Sequence, residues 1–203
     1  MPFPQHHWDN PRETIAVKYK DNDYGYTMHA AKVVNMVLEL IDESHSEMKY
    51  KTILDYGCGT GRMASLMTFA FNETYGFDVN ENCISMAYDD LSKVDFQYRN
   101  LSFGTTVPEK QYDYVYSVSV LEHLDQTAFV EAMCNITRLT KDRAVLWFSY
   151  GKNPLMDRFT KINKSEKGIG IVVLTKEQLK AGMLLLYKQK LNKNQKCLDF
   201  LQN

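Results

Sequence analysis

The chain has 203 residues, of which 44% are hydrophobic and 24% charged, and a formal net charge of −1. This composition is that of one ordinary globular domain and excludes disordered and collagen-like chains. The charge is uneven, because residues 1–151 carry 13 basic and 21 acidic residues while residues 152–203 carry 11 basic and 4 acidic ones. A basic end can attract an anionic small molecule. Nucleic acid is the weaker expectation, because no aromatic-plus-basic RNA-binding signature accompanies it.

Targeting signals and metal-ligand patterns are not evident in the sequence. The first ten residues lack the basic-then-apolar pattern of a signal peptide, and no apolar run approaches the roughly 20 residues of a membrane helix. We therefore expect a soluble, cytoplasmic protein that does not enter a membrane. The cysteines form no CxxC pair, which favours reduced thiols.

The first third of the chain is predicted to contain one long helix. Residues 1–26 are expected to be irregular and aromatic-rich. Thr27 is expected to cap an amphipathic helix that ends near Ser44, since apolar residues recur at spacings of three to four: Ala30, Val33, Val34, Val37, Leu38 and Ile41.

From Lys51 onward, short apolar runs alternate with helical stretches, which predicts crossover units and a mostly parallel sheet. The predicted strands are 52–56, 74–78, 94–99, 112–119 and 143–150. The predicted helices between them are 61–71, a helix capped by Asn80 that runs to residue 91, and 127–139.

The remaining segments are predicted as a loop and a terminal hairpin. Residues 100–110 show no helical pattern and are expected to be a loop. Thr175 and Gln178 fit a capping box for a short helix that closes at Gly182. Residues 183–191 and 197–201 then flank a polar turn and are predicted to pair as a hairpin.

The most informative stretch is the glycine-rich turn after the first predicted strand. Gly57, Gly59 and Gly61 alternate between an apolar strand and a helix, a pattern that brings bare backbone N–H groups close to a ligand. Asp78 ends the next predicted strand, 21 residues after Gly57. A carboxylate there can accept hydrogen bonds from both hydroxyls of a ribose. The sequence therefore predicts a nucleotide-type pocket.

Two classes of cofactor compete for this pocket. A dinucleotide site prefers the spacing G-x-G-x-x-G, but Arg62 occupies the place of the third glycine. Asp55, two residues before the first glycine, would repel a pyrophosphate and suits a cationic amino group. These residues disfavour a nicotinamide cofactor.

The run Leu54-Asp55-Tyr56-Gly57-Cys58-Gly59-Thr60-Gly61 resembles the first motif of the class I S-adenosylmethionine-dependent methyltransferases. Residues 112–124, Tyr-Asp-Tyr-Val-Tyr-Ser-Val-Ser-Val-Leu-Glu-His-Leu, resemble that family's fourth strand and following turn. The resemblance covers about residues 51–203. It implies a single domain with a three-layer, Rossmann-like α/β fold, in which helices cover both faces of a seven-stranded, mostly parallel sheet with an antiparallel last strand. Residues 1–50 would then form an N-terminal helical or lid segment.

The resemblance also implies a cofactor, S-adenosylmethionine, with S-adenosylhomocysteine as its product. Asp55, Tyr56, Gly57, Cys58 and Gly59 are expected at the methionine end of the cofactor. The other expected contacts are Asp78 and Val79 at the ribose, Asn100 and Leu101 at the adenine, and Ser117 and Val118 from the fourth strand.

Methyl transfer from a sulfonium is an in-line displacement, so the protein mainly positions and desolvates the reactants. His123, just past the fourth predicted strand, is the candidate catalytic base. Trp8, Tyr24 and Tyr26 are candidate substrate or lid contacts. No metal is expected, because that strand ends on serines where a magnesium-dependent enzyme would need carboxylates.

The resemblance favours methyl transfer to oxygen or nitrogen of a small molecule. Five basic residues against two acidic ones in residues 151–170 suggest an anionic acceptor. The alternatives are methylation of RNA or protein, favoured by the basic C-terminal quarter, and a catalytically silent regulatory subunit that binds the cofactor.

Overall fold

The computed structural model describes residues 23–92, 100–149 and 169–188. Its contacts divide the chain between Pro108 and Glu109 into two compact units. We call the described residues up to 108 the N-terminal unit and those from 109 onward the C-terminal unit.

The N-terminal unit contains four helices and three strands. In chain order these are α1 (Asp23–Ile41), α2 (His45–Met48), β1 (Thr52–Tyr56), α3 (Arg62–Met67), β2 (Glu73–Phe77), α4 (Glu81–Ser92) and β3 (Leu101–Gly104). The strands pair in parallel in the order β3-β2-β1, with Thr52 opposite Glu73 and Thr74 opposite Leu101. All three strands therefore end at the same edge, where the glycine turn and Asp78 follow β1 and β2.

Helix α1 buries the predicted apolar stripe, since Val37 and Ile41 are fully buried and Ala30, Val33 and Val34 nearly so. Its predicted start is wrong, because the helix begins at Asp23 and Thr27 lies inside it. A cap residue must leave helical geometry, and the helical backbone continues through Thr27. Ser44 caps α2 instead, in a capping box with Glu47.

The C-terminal unit contains three strands, a single 3₁₀ turn and two helices. These are β4 (Tyr112–Val118), the 3₁₀ turn Leu121–His123, α5 (Gln126–Leu139), β5 (Thr140–Ser149), β6 (Ile169–Thr175) and α6 (Lys176–Lys188). Strands β4 and β5 are parallel, whereas β5 and β6 are antiparallel. The core of this unit is apolar, with Phe129, Met133 and Phe148 fully buried.

Most predicted elements are confirmed, but the β3 region is not. The structure has a strand at Leu101–Gly104, where a loop was predicted, and the predicted strand 94–99 lies outside the described residues. Four residues provide one alternation, of Leu101 and Phe103, which is too short for the pattern to stand out.

The prediction for the end of the chain is also wrong in its described part. Strand β6 was missed, and residues 183–188 continue helix α6 where a strand was predicted. The predicted capping box of Thr175 and Gln178 is confirmed, with the Thr175 N–H donating to the Gln178 Oε1 atom at 2.9 Å. Gly182 does not end the helix, because a mid-helix glycine costs only about 1 kcal/mol and burial of Leu179 and Met183 offsets that cost.

Six strands lie in the described residues, and the predicted seventh, at 197–201, lies outside them. Cys58 and Cys83 carry free thiols, as expected. Cys134 is disulfide-bonded, which corrects the expectation of reduced thiols for that residue.

Candidate functional site

The glycine-rich turn after β1 has a backbone that only glycine adopts readily. Gly57, Gly59 and Gly61 all have positive φ angles, of 86°, 54° and 75°. The N–H groups of Gly57 and Cys58 both donate to the Phe77 carbonyl oxygen, at 2.7 and 2.9 Å. The turn is thereby fixed to the end of β2, and the reason for three alternating glycines is backbone conformation.

Asp78 lies beside this turn, and each oxygen of its carboxylate accepts a hydrogen bond from a backbone N–H group. Its Oδ2 accepts the Gly59 N–H at 2.8 Å, and its Oδ1 accepts the Asn80 N–H at 2.9 Å. Burial raises the pKa of Asp78, while these two hydrogen bonds act in the opposite direction. The predicted pairing of the glycine turn with an acid at the end of the second strand is therefore present in the structure.

The turn is open on one side and closely packed on the other. A Cβ atom at Gly59 would meet nothing within 4 Å, whereas one at Gly61 or Gly76 would collide with the ring of Phe103. Val79, next to Asp78, is 80% exposed. Open space at Gly59, a carboxylate and an exposed apolar side chain form a surface that can receive a sugar and a flat ring.

The predicted residues on the strand side of the turn are buried. Asp55 is fully buried in β1, and Tyr56 and Cys58 are 6% exposed. Burial, followed by the negative charges of Asp55 and Asp78, raises the pKa of the Cys58 thiol far above its usual range. These effects favour the protonated thiol, which is a poor nucleophile.

The predicted placement of Asn100 and Leu101 is wrong. They lie at the start of β3, at the opposite end of the strands from Asp78. The Asn100 side chain donates to the carbonyl oxygens of Thr68 and Phe71, at 3.1 and 2.9 Å, and so ties down the turn after α3. The error follows from the misplaced strand. The predicted strand 94–99 would end just before Asn100, whereas β3 begins just after it.

Gly104 and Thr105 occupy the place that Asn100 and Leu101 were expected to fill. Gly104 ends β3 at the edge where Asp78 follows β2, and its carbonyl oxygen accepts the Asp78 N–H at 3.2 Å. The sequence signal that could have found them is Phe103 followed by glycine, which combines a buried strand residue with a turn former.

In the C-terminal unit, the predicted residues cluster at the end of β4. Ser117 is fully buried and Val118 half-buried. Ser119 follows with a φ of 55°, which is unusual for a residue with a side chain, and its N–H donates to the Trp147 carbonyl oxygen at 2.9 Å. His123, the predicted base, is half-buried at the end of the 3₁₀ turn.

The remaining candidates cannot be placed by their side chains. Tyr24 and Tyr26 lie in α1 by their backbone, while Trp8 and residues 151–168 are outside the described residues. No three His, Cys, Asp or Glu side chains in the described segments are grouped so that they could hold a metal ion. Among the helices described, none is long and apolar enough to cross a membrane.

A glycine turn, an acid on the neighbouring parallel strand and an open surface between them define a Rossmann-like, nucleotide-binding α/β protein. The family model described as "Methyltransferase domain" matches residues 30–199. The chain therefore belongs to the class I S-adenosylmethionine-dependent methyltransferase family. Membership confirms the predicted family, enzyme class and cofactor.

Among curated proteins, the chain is similar to ubiquinone biosynthesis O-methyltransferases. That of Nitrosomonas europaea is 26% identical over 154 residues, which are 73% of this chain and 60% of the relative. That of Rickettsia bellii is 27% identical over 130 residues, or 62% of this chain and 53% of the relative. The chain thus spans a little over half the length of these relatives.

Among solved structures, the fold is similar to that of magnesium protoporphyrin IX methyltransferase from Synechocystis PCC 6803 with bound S-adenosylmethionine. The TM-score is 0.58 at 19% identity, over 77% of this chain and 82% of that one. This likeness confirms the predicted α/β Rossmann-like fold, with mostly parallel strands and an antiparallel last pair among the six described.

Proposed function

We propose that this chain transfers the methyl group of S-adenosylmethionine to an oxygen atom, or secondarily a nitrogen atom, of a small molecule without a metal ion. The observation that carries the cofactor part is the Asp78 carboxylate, held 2.8 Å from the Gly59 N–H beside the open side of the turn. The oxygen preference rests on the relatives, which are O-methyltransferases by name.

The residues of the N-terminal unit fit this cofactor. Asp78 has acceptor capacity left on each carboxylate oxygen after its bonds to Gly59 and Asn80, and ribose hydroxyls can use that capacity. The bare backbone of Gly59 allows close approach to the rest of the nucleoside. Val79 supplies an exposed apolar surface for one face of the adenine, with Gly104 and Thr105 at its edge.

Asp55, Tyr56, Gly57 and Cys58 would surround the methionine end, as the resemblance implies. A buried carboxylate at Asp55 complements a cationic amino group and sulfonium better than it complements a phosphate.

When bound, the cofactor supplies an electrophilic methyl group on a cationic sulfur. The protein then has to hold the acceptor atom in line with that methyl group and exclude water, and effective molarities for such alignment reach about 10⁵ M and above. His123 would accept the proton of an acceptor hydroxyl, because imidazole titrates near neutral pH.

A two-stage experiment tests the proposal. The first stage is calorimetric titration with S-adenosylhomocysteine, and absence of binding would refute the cofactor assignment. The second measures methyl transfer from radiolabelled S-adenosylmethionine to a panel of phenols, carboxylates and amines, and then to RNA and protein. The proposal predicts turnover of a small phenol or alcohol that persists in excess EDTA; loss of turnover with EDTA, restored by Mg²⁺, would contradict the metal-free part.

The same panel distinguishes the alternatives. Turnover with RNA or protein alone would support a macromolecular methyltransferase, the alternative that the basic residues 152–203 favour. Tight cofactor binding without turnover of any acceptor would support a silent regulatory subunit.

A further inference from the structure

The ring of Phe103 lies beneath the glycine turn and occupies space that two glycines leave free. A Cβ atom at Gly61, which ends the turn, would lie 2.5 Å from the Phe103 Cε1 atom. A Cβ atom at Gly76, in the middle of β2, would lie 2.7 Å from the same atom and 2.9 Å from the Cys58 Sγ atom. Real Cβ atoms do not approach so closely, so the ring contacts both the turn and the strand that carries Asp78.

Phe103 is itself held by Tyr88 of helix α4. The Tyr88 hydroxyl donates to the Phe103 carbonyl oxygen at 2.9 Å and accepts the Phe103 N–H at 3.1 Å. The two rings meet edge to face, with centroids 5.5 Å apart and an interplanar angle of 88°. Because β3 is only four residues long and pairs with β2 alone in the N-terminal unit, these contacts fix where the Phe103 ring lies.

The ring belongs to a small apolar cluster that links the turn to helix α4. Cys58 from the turn, Ala64 from α3, and Ile84 and Ala87 from α4 pack with Phe103, and all five residues are less than 9% exposed. Three backbone N–H groups of the turn donate hydrogen bonds to the Phe77 carbonyl oxygen and the Asp78 carboxylate, and these bonds fix the side of the turn that faces β2. The Phe103 ring is what the Gly61 end of the turn packs against.

We propose that Phe103, held by Tyr88, is a positioning residue for the cofactor. Its ring sets the position of the glycine turn relative to β2, and with it the direction of the Gly59 N–H, without contacting the cofactor. This inference rests on the proposed cofactor site and extends it to two residues that no motif of the sequence marked.

The direct test compares Phe103→Leu with Phe129→Leu. Both residues are buried, but Phe129 lies in α5 of the C-terminal unit, so it controls for the stability lost when a buried ring is removed. We expect Phe103→Leu to raise the Kd for S-adenosylhomocysteine about fivefold or more, and Phe129→Leu to leave it within twofold at a temperature where both are folded. Equal Kd values for the two folded variants would overturn the proposal.

Tyr88→Phe is the milder variant, and it keeps the protein testable if Phe103→Leu does not fold. It keeps the edge-to-face ring pair and removes only the hydroxyl that bonds Phe103. The expected result is a Kd raised about two- to fivefold with circular dichroism unchanged. An unchanged Kd in this folded variant would overturn the role of Tyr88.

A compensating pair separates positioning from general destabilisation. Gly76→Ala places a methyl group against the Phe103 ring, so it should weaken S-adenosylhomocysteine binding by displacing that ring. In the double variant Gly76→Ala/Phe103→Ala, removal of the whole ring makes room for that methyl group, and the loss should be smaller than the product of the losses in Gly76→Ala and Phe103→Ala. Multiplicative losses would contradict the proposal. Wild-type protein that fails to bind S-adenosylhomocysteine would instead refute the proposed function itself.

Discussion

Replacing Asp78 with asparagine tests whether the carboxylate at this position holds the ribose of the cofactor. The carboxylate accepts the Gly59 N–H at 2.8 Å and the Asn80 N–H at 2.9 Å with different oxygens. An asparagine at position 78 has one oxygen, so its NH₂ group must face one of these two donors. One backbone N–H then loses its acceptor, at a cost of about 1–3 kcal/mol.

The same substitution weakens the proposed ribose contacts. Hydrogen bonds to a charged acceptor contribute about 1.5–3 kcal/mol, against about 0.5–1.5 kcal/mol for neutral pairs, so each bond that loses its charge loses about 1 kcal/mol. Two ribose hydroxyls and a disturbed Gly59 together predict about 2–3 kcal/mol, which is roughly a 30- to 150-fold rise in Kd.

The assay is calorimetric titration of Asp78→Asn with S-adenosylhomocysteine at pH 7.5, with circular dichroism to verify folding. Asp89→Asn is the matched control, since Asp89 is an exposed residue of helix α4 and makes the same change in charge within the same unit. The control should bind as the wild type does. A folded Asp78→Asn variant that binds within twofold of wild type would refute the placement of the ribose at Asp78.

Three further predictions follow from the cited geometry. Because burial raises the pKa of Asp78, acidification should weaken S-adenosylhomocysteine binding at a higher pH than it would with an ordinary carboxyl group. Protonation of Asp78 alone should instead favour the folded state as the pH falls. Titrations and denaturant unfolding from pH 7 to pH 4 measure the two trends, and an affinity that stays constant over that range would contradict the first. Ser119→Gly and the control Asp42→Gly should each raise the free energy of unfolding by up to about 1 kcal/mol, because both residues have a φ of 55°. Only Ser119→Gly should reduce turnover. Loss of stability in both variants would show that neither backbone is strained. His123→Ala should lower kcat by about 10²-fold while the Kd for S-adenosylhomocysteine stays within twofold, and unchanged kcat would remove His123 as the base.

The glycine turn and its acid could be predicted from sequence because backbone chemistry fixes them. Three positive φ angles require glycines, and a parallel strand that ends next to the turn requires the residue that follows it, Asp78, to lie there. Such local rules hold whatever packs around them. The amphipathic stripe of α1 could be predicted for the same reason, although the first turn of the helix could not.

The misplaced residues depended on packing that the sequence pattern does not contain. Asn100 was expected at the adenine because the strand was placed before it, but β3 starts after it and its amide caps the turn after α3. Phe103 and Tyr88 were not predicted to act together, because their contact joins a strand and a helix 15 residues apart through a hydroxyl and two backbone groups. Helix α6 continues past Gly182 because burial of Met183 outweighs the intrinsic cost of glycine.

We propose that the surface formed by Gly59, Asp78 and Val79 holds the nucleoside of S-adenosylmethionine. The most direct measurement is a parallel calorimetric titration of the wild-type chain with S-adenosylhomocysteine and with NAD⁺. We expect one binding site for S-adenosylhomocysteine and no heat of binding with NAD⁺. Binding of NAD⁺ alone, or of neither ligand by a folded protein, would contradict it.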